Sequence, residues 1–250
     1  MQISIDRDKK SLPLYLQIAN SLIEQIEAGA YPPGTRLPSE REMSLLLSVQ
    51  RETVRQALAV LVSEGLITRR HGSGTYVAEP KIERDASRLF PFTRAMQRKG
   101  FLPGARVIQL EKIVCSPALA NELNLPVSAF VYFIQRLRTV NQEPVVLENA
   151  LIPANTFPDI DRFDLSARSL YEVMETEYGS RVTQARQSLE AVVANEFEAN
   201  LMGIKKGDPL MLERRLTFDQ FGRRVEFSKD LFRGDRFRFT TERTPLEPVE

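Results

Sequence analysis

Arg51 and Arg55 stand one helical turn apart, with Thr53 between them, on a stretch whose apolar residues recur at helical spacing. That places two planar guanidinium forks on one face, the geometry that bidentate recognition of guanine or phosphate calls for. Arg136 and Arg138 lie at i and i+2 on an apolar run, so a strand there aims both groups to one side. Two adjacent cations repel unless an anion or carboxylates sit between them. A phosphate or carboxylate ligand is one reading; pairing with Glu148 on the neighbouring strand, or plain exposure, is the other. Glu148 and Glu226, acceptors only when ionised, suit hydroxyls or an amine, as on a sugar or amino sugar. Ser169 opens a helical segment whose hydroxyl and free N–H groups favour an anion. Tyr171 adds a phenolic donor there, or only packs.

Catalytic chemistry has little to work with. The chain holds one histidine, His71, and one cysteine, Cys115, so no internal disulfide forms and a zinc site has few ligands. His71 falls in the first third, which excludes a Ser–His or Cys–His arrangement in the second half. Only Glu148 and Glu226 could act as an acid–base pair. No cofactor and no metal is expected. Apolar residues make up 42% and charged ones 27%, the balance of a globular protein, and 250 residues suit one or two domains. Net charge is +1, so a nucleic-acid partner must declare itself locally. The apolar runs Ala57–Val62 and Ala129–Ile134 fall far short of the roughly 18 residues that span a bilayer. The first ten residues have no apolar core for a signal, so a soluble, cytoplasmic protein without membrane partners is expected.

The elements that must position these residues follow from patterning. A helix from Pro13 to the region of Gly29 carries Tyr15, Ile18, Ala19, Leu22, Ile23 and Ile26 on one face. A second starts at Ser39, whose Ser-x-x-Glu with Glu42 is a capping box, and a third runs from Arg51 to Glu64. Only Ser48, Val49 and Gln50 separate these two, as a helix-turn-helix requires. Strands at Leu66–Arg70 and Thr75–Ala78 then flank a glycine-rich turn. Residues 1–78 thus read as a winged helix-turn-helix domain and 79–89 as a linker. From 90 to 243 strands and helices alternate in an α+β domain on an antiparallel sheet, and 244–250 read as a loose tail.

The run Pro33-Gly34-Thr35-Arg36-Leu37-Pro38-Ser39-Glu40-Arg41-Glu42 resembles the N-terminal module of the GntR superfamily of bacterial transcription regulators. So do Arg51 through Leu58 and the wing from Gly65 to Val77. The resemblance implies that Arg41, Gln50, Arg51, Thr53 and Arg55 face operator DNA, with His71 and Gly72 at the wing tip reaching the minor groove. Charge alone is a weaker guide, since six arginines face four acids between Tyr31 and Ala78. Ser48 stands where relatives usually carry Gly or Asn, and Gln50 where they carry Ser.

From about Ser87 to Thr240 the chain resembles the UTRA domain of the HutC subfamily, similar in fold to chorismate lyase. Phe92-Thr93, Arg136-Leu137-Arg138, Pro144 to Glu148, Ser169-Leu170-Tyr171 and Val225-Glu226-Phe227 through Arg236 carry the likeness. It implies that Thr93, Arg136, Arg138, Ser169 and Tyr171 surround the acidic group of an effector, with Phe92, Glu148, Glu226 and Phe232 around its remainder. Relatives that bind hexosamine phosphates tend to have Tyr where this chain has Phe232, which hints at a different ligand. The Phe232–Arg236 run reads as structural. Together these imply a homodimeric repressor, released from double-stranded operator DNA by a small anionic effector (sugar phosphate, amino-sugar phosphate or carboxylate). The effector is expected to act by shifting head orientations through Glu79–Leu89. The alternative is a lyase-like enzyme with a fused DNA-binding head.

Overall fold

The computed structural model describes residues 12–70 and 73–242, divided into two compact units at Lys81/Ile82. His71, Gly72 and the expected tail at 244–250 lie outside the described residues.

The first unit orders three helices, α1 (Leu14–Glu27), α2 (Glu40–Leu47) and α3 (Arg51–Ser63), before a hairpin of β1 (Ile67–Arg70) and β2 (Gly74–Val77). Pro13 is the cap of α1 rather than its first helical residue, and Gly29 follows its end with φ of 77°. Ile18, Leu22, Met43, Val54, Leu58, Leu61 and Ile67 close one core. The capping box forms as the sequence predicts: the Glu42 N–H donates to Ser39 Oγ at 3.2 Å, and the Ser39 N–H to Glu42 Oε2 at 2.7 Å. Ser48 turns the chain between α2 and α3 in the left-handed region, φ 52° and ψ 43°, the conformation that favours Gly or Asn. Ser44 Oγ braces that turn by donating to the Val49 carbonyl at 2.6 Å.

In the second unit β3 (Ile82–Asp85) and α4 (Phe92–Arg98) precede β4 (Pro103–Val114), α5 (Pro117–Leu123), β5 (Phe130–Val140) and β6 (Glu143–Pro153). There follow α6 (Leu170–Tyr178), β7 (Val182–Val193), α7 (Glu196–Met202), β8 (Pro209–Asp219), β9 (Arg224–Arg233) and β10 (Phe237–Thr240). Six strands make one antiparallel sheet in the order β4-β5-β6-β9-β8-β7. Asn141 and Gln142, both at positive φ, form the two-residue turn between β5 and β6. One face packs Leu137, Leu147, Leu210 and Leu231 against α7, and Val131 against α5. The other packs Ile134, Ala150 and Ile152 against α6, and Val140, Val146 and Phe232 against α4.

The segment read as a linker, 79–89, is corrected by this topology. Residues 82–85 form β3, which pairs in parallel with β10 near the chain's end and buries Ile82 beside Phe237. Its Ile-Glu-Arg-Asp sequence has almost no apolar alternation, so only the distant partner makes it a strand. The Phe232–Arg236 run is held structurally: Arg233 ion-pairs with Glu143 at 2.9 Å and Asp235 at 2.7 Å. A Cβ on Gly234 would come within 2.9 Å of the Pro209 carbonyl oxygen.

Candidate functional site

In the first unit, α3 presents its N-terminal end with Arg51, Arg55 and Gln50 exposed and Thr53 half-buried. Gln50 caps the helix by position alone, since its side chain makes no capping hydrogen bond. Arg41, on α2, is exposed as well, and neither Arg41 nor Arg51 forms an ion pair among the described residues. Arg55 contacts Glu52 at 3.1 Å and Glu40 at 3.5 Å, but with its side chain 52% exposed those pairs are weak. The Arg36 side chain lies against Gly74, where φ is 128° and a Cβ would meet its Nε at 2.9 Å, so the wing's entry needs glycine. The helix-turn-helix therefore offers a row of charged and amide side chains held by no more than the exposed Arg55 pairs, at the helix end that reaches base edges in this motif.

The second unit holds a cleft of about 540 Å³, its open mouth included, between the sheet, α4 and α6. Arg84, Arg136, Arg138 and Arg215 line it together with Glu148, Glu226 and Asp230. Phe92, Ser169, Tyr171, Ala150 and Phe232 complete the wall, so the cleft gathers every residue expected around the effector except Thr93. Thr93 stands immediately behind, its hydroxyl accepting from Arg138 at 2.8 Å.

Strand pairing sets Arg136 directly opposite Glu148. The Arg136 guanidinium lies 2.8 Å from Glu148 Oε2 and that of Arg138 lies 3.5 Å from the same oxygen, which finds no well-angled hydrogen bond. The pairing considered as the structural alternative is thus present, yet it gives two cations one shared oxygen. Arg136 also donates to the Leu165 carbonyl at 3.2 Å, and Arg138 to that of Gly104 at 3.2 Å while stacking 4.5 Å over Phe92. Burial alone would raise the Glu148 carboxyl, but the two guanidinium groups outweigh it and hold it low. Burial likewise lowers Arg138, against the pull of Glu148.

Glu226 is committed inside the protein. Tyr171 donates to its Oε2 at 2.5 Å and Thr217 at 2.8 Å, leaving no free acid–base partner for Glu148. Burial pushes the Tyr171 phenol far up, keeping it a neutral donor. Ser169 caps α6 by position, without using its hydroxyl on the helix.

Arg215, Asp230, Glu213 and Arg84 were not identified from the sequence. Arg215 reaches Glu213 at 2.5 Å and Asp230 at 3.0 Å, and Glu213 in turn meets Arg84 at 3.5 Å from behind the cleft. Arg84 stacks 5.1 Å over Phe232. Burial pushes the Asp230 carboxyl up to about 7, against the pull of Arg215 and aided by Glu148, Glu213 and Glu226. The same i, i+2 reasoning that picked out Arg136 and Arg138 applies to Glu213, Arg215 and Thr217, and it was the available signal.

A winged helix-turn-helix with an uncommitted arginine-bearing recognition helix, followed by a sheet domain with a charged cleft, defines a DNA-binding transcription regulator. Residues 14–77 match the gntR family of bacterial regulatory proteins and residues 98–238 match the UTRA domain. The chain belongs to the GntR family, in the HutC-type branch that carries a UTRA domain. It is 37% identical to the HTH-type transcriptional repressor NagR of Bacillus subtilis, over 91% of this chain and 93% of that one. To the histidine utilization repressor of Pseudomonas aeruginosa it is 31% identical, over 82% of each. The crystal structure of PhnF from Mycobacterium smegmatis superimposes with a TM-score of 0.65 at 29% identity, covering 91% of this chain and 99% of that one. The chain is therefore a regulator and not an enzyme: GntR heads bind operator DNA, and UTRA domains bind small-molecule effectors. No helix among the described residues is long and apolar enough to cross a membrane.

Proposed function

We propose that this regulator represses by binding operator DNA as a homodimer and is released by a small anionic metabolite, a sugar phosphate, amino-sugar phosphate or related acid, held in the cleft. The observation that supports this reading is the pair Arg136 and Arg138, two buried guanidinium groups in the cleft wall that share a single oxygen of Glu148. Buried charge of one sign is costly unless paired, so an entering anion gains what the cleft lacks. The Thr93 hydroxyl and the N-terminal end of α6 at Ser169 add donors beside Arg136 and Arg138.

Arg41, Gln50, Arg51, Thr53 and Arg55 read the operator in this proposal, with His71 and Gly72 at the wing. A two-fold dimer presents two identical recognition helices, which suits a palindromic operator. Signal transfer begins at Arg84, which lines the cleft from a strand that starts at the boundary between the units. A ligand that draws Arg84 toward itself shifts the populations of the chain entering the head.

A thermal-shift panel of sugar phosphates, amino-sugar phosphates, their unphosphorylated parents and small carboxylates tests the ligand class. At a hundred times its dissociation constant, an effector adds about 2.7 kcal/mol, on the order of 5–10 °C for a protein of this size. A shift with a phosphorylated compound and none with its parent supports the anion site. No shift across the panel, with operator binding intact, counts against it.

A further inference from the structure

Glu40, at the start of α2, meets two arginines at once. Its Oε2 lies 3.5 Å from Arg55 Nε on α3, and its Oε1 lies 3.6 Å from Arg69 Nη2 on β1. Among the described residues of the head no other carboxylate pairs with two arginines. One side chain thereby ties the recognition helix to the wing strand. Glu52 meets only Arg55, at 3.1 Å, so that guanidinium is bracketed by two acids.

Neither stability nor capping explains Glu40. Its partners keep 52% and 46% of their side chains exposed, and pairs in that setting contribute little to folding. The capping box is made by Ser39 and Glu42, and Glu42 already places an acid in the first turn. A carboxylate beside Arg55 also repels the phosphates that Arg55 meets on DNA. That repulsion acts on every duplex, whereas a held guanidinium helps only where a base edge or phosphate matches its fixed position. A long arginine left free turns toward whichever phosphate is nearest, and phosphate contacts carry no sequence information. Restraining it discriminates against the wrong partner.

Resting on the reading above that Arg55 faces the operator, we infer that Glu40 is a positioning residue for sequence selectivity. It restrains Arg55 and Arg69 together, lowering affinity for arbitrary duplex DNA and sparing the matched site.

Anisotropy titrations of the full-length protein over a range of KCl concentrations test this. Two duplexes of equal length and composition are compared, one that the parent protein selects from a random-sequence pool and a scrambled one. Glu40→Gln should bind the scrambled duplex about tenfold more tightly, with a salt slope steeper by about one to two, and the selected duplex within about threefold of the parent. Glu52→Gln removes a nearby charge that touches Arg55 alone, and should change the scrambled-duplex affinity by less than about threefold. In an Arg69→Met background the gain from Glu40→Gln should shrink, because one of the two restrained cations is gone. Equal gains on both duplexes, or equal gains from Glu40→Gln and Glu52→Gln, would mean that Glu40 acts as a bare charge and would overturn the inference. A melting temperature lowered by more than about 3 °C in Glu40→Gln also overturns it, assigning the bridge to the fold. If Arg55→Ala leaves the selected duplex bound as before, the operator reading of Arg55 fails and takes the inference with it. Unchanged selectivity in Glu40→Gln, with Arg55 required, overturns the inference alone.

Discussion

The arginines of the recognition helix stand in water, whereas Arg136, Arg138 and Arg215 of the cleft are sealed in. Arg55 is half exposed and Arg51 makes no ion pair among the described residues, while Arg136, Arg138 and Arg215 keep less than a tenth of their surface. The difference lies in what holds each charge. On α3 water screens the guanidinium groups, so they cost the fold little and are free to engage phosphate or base. In the cleft every guanidinium must be matched by a carboxylate or carbonyl, so ligand recognition and folding draw on the same contacts. Head substitutions should therefore separate function from stability, and cleft substitutions should not unless both partners change.

The largest effect that comparison predicts is at Arg136. Arg136→Ala leaves the Glu148 charge buried and should lower the stability of the sheet domain by about 3–5 kcal/mol in denaturant titration. The pair Arg136→Met with Glu148→Gln should recover only part of that loss, since Arg138 then keeps just the Thr93 hydroxyl and the Gly104 carbonyl, while leaving anionic ligands unbound. Recovery of stability together with ligand binding would show that the pair is structural only. Arg51→Ala should instead cost about 1–3 kcal/mol of operator affinity, read by fluorescence anisotropy, without moving the melting temperature. A matching drop in melting temperature would break the contrast between the two regions.

Asp230 offers a subtler test. Its folded carboxyl titrates near 7 while an unfolded aspartate titrates at about 3.9, so the protonated form is favoured by folding. Stability from this group is fully present below the unfolded value and is lost as pH rises toward and through 7, by at most about 1.4 kcal/mol per pH unit. Melting temperatures from pH 5 to 8 should fall more steeply in the parent protein than in Asp230→Asn; parallel profiles would contradict the assignment. The smallest effect belongs to Arg55→Ala, whose exposed pairs with Glu40 and Glu52 should contribute less than about 1 kcal/mol to stability.

What was legible in the sequence divides along the same line. The Ser39–Glu42 box, the helical spacing of α3 and the i, i+2 placement of Arg136 and Arg138 are local patterns, and the elements formed where the patterns put them. The Arg136–Glu148 pairing needs more than the turn: the two-residue turn at Asn141-Gln142 alone would set Arg136 opposite Leu147, and a bulge at Arg138/Thr139 shifts the register by one to bring Glu148 there. The other half of the cleft depends on pairings between distant segments. β3 exists because β10 completes it, and that pairing carries Arg84 to the cleft wall. Arg215 and Asp230 meet only because β8 and β9 pair and turn the same face toward α4 and α6. In sequence, Arg215 sits in a charged Glu-Arg-Arg triplet that reads as surface.

The central claim is that an anion in the cleft releases the operator. Its most direct test measures operator affinity by anisotropy with and without saturating amounts of the compound giving the largest thermal shift. The parent protein should lose at least tenfold in affinity, a coupling of about 1.4 kcal/mol, while Arg136→Met with Glu148→Gln should bind operator equally well in both conditions. An unchanged operator affinity in the parent protein, with the cleft demonstrably filled, would contradict the account.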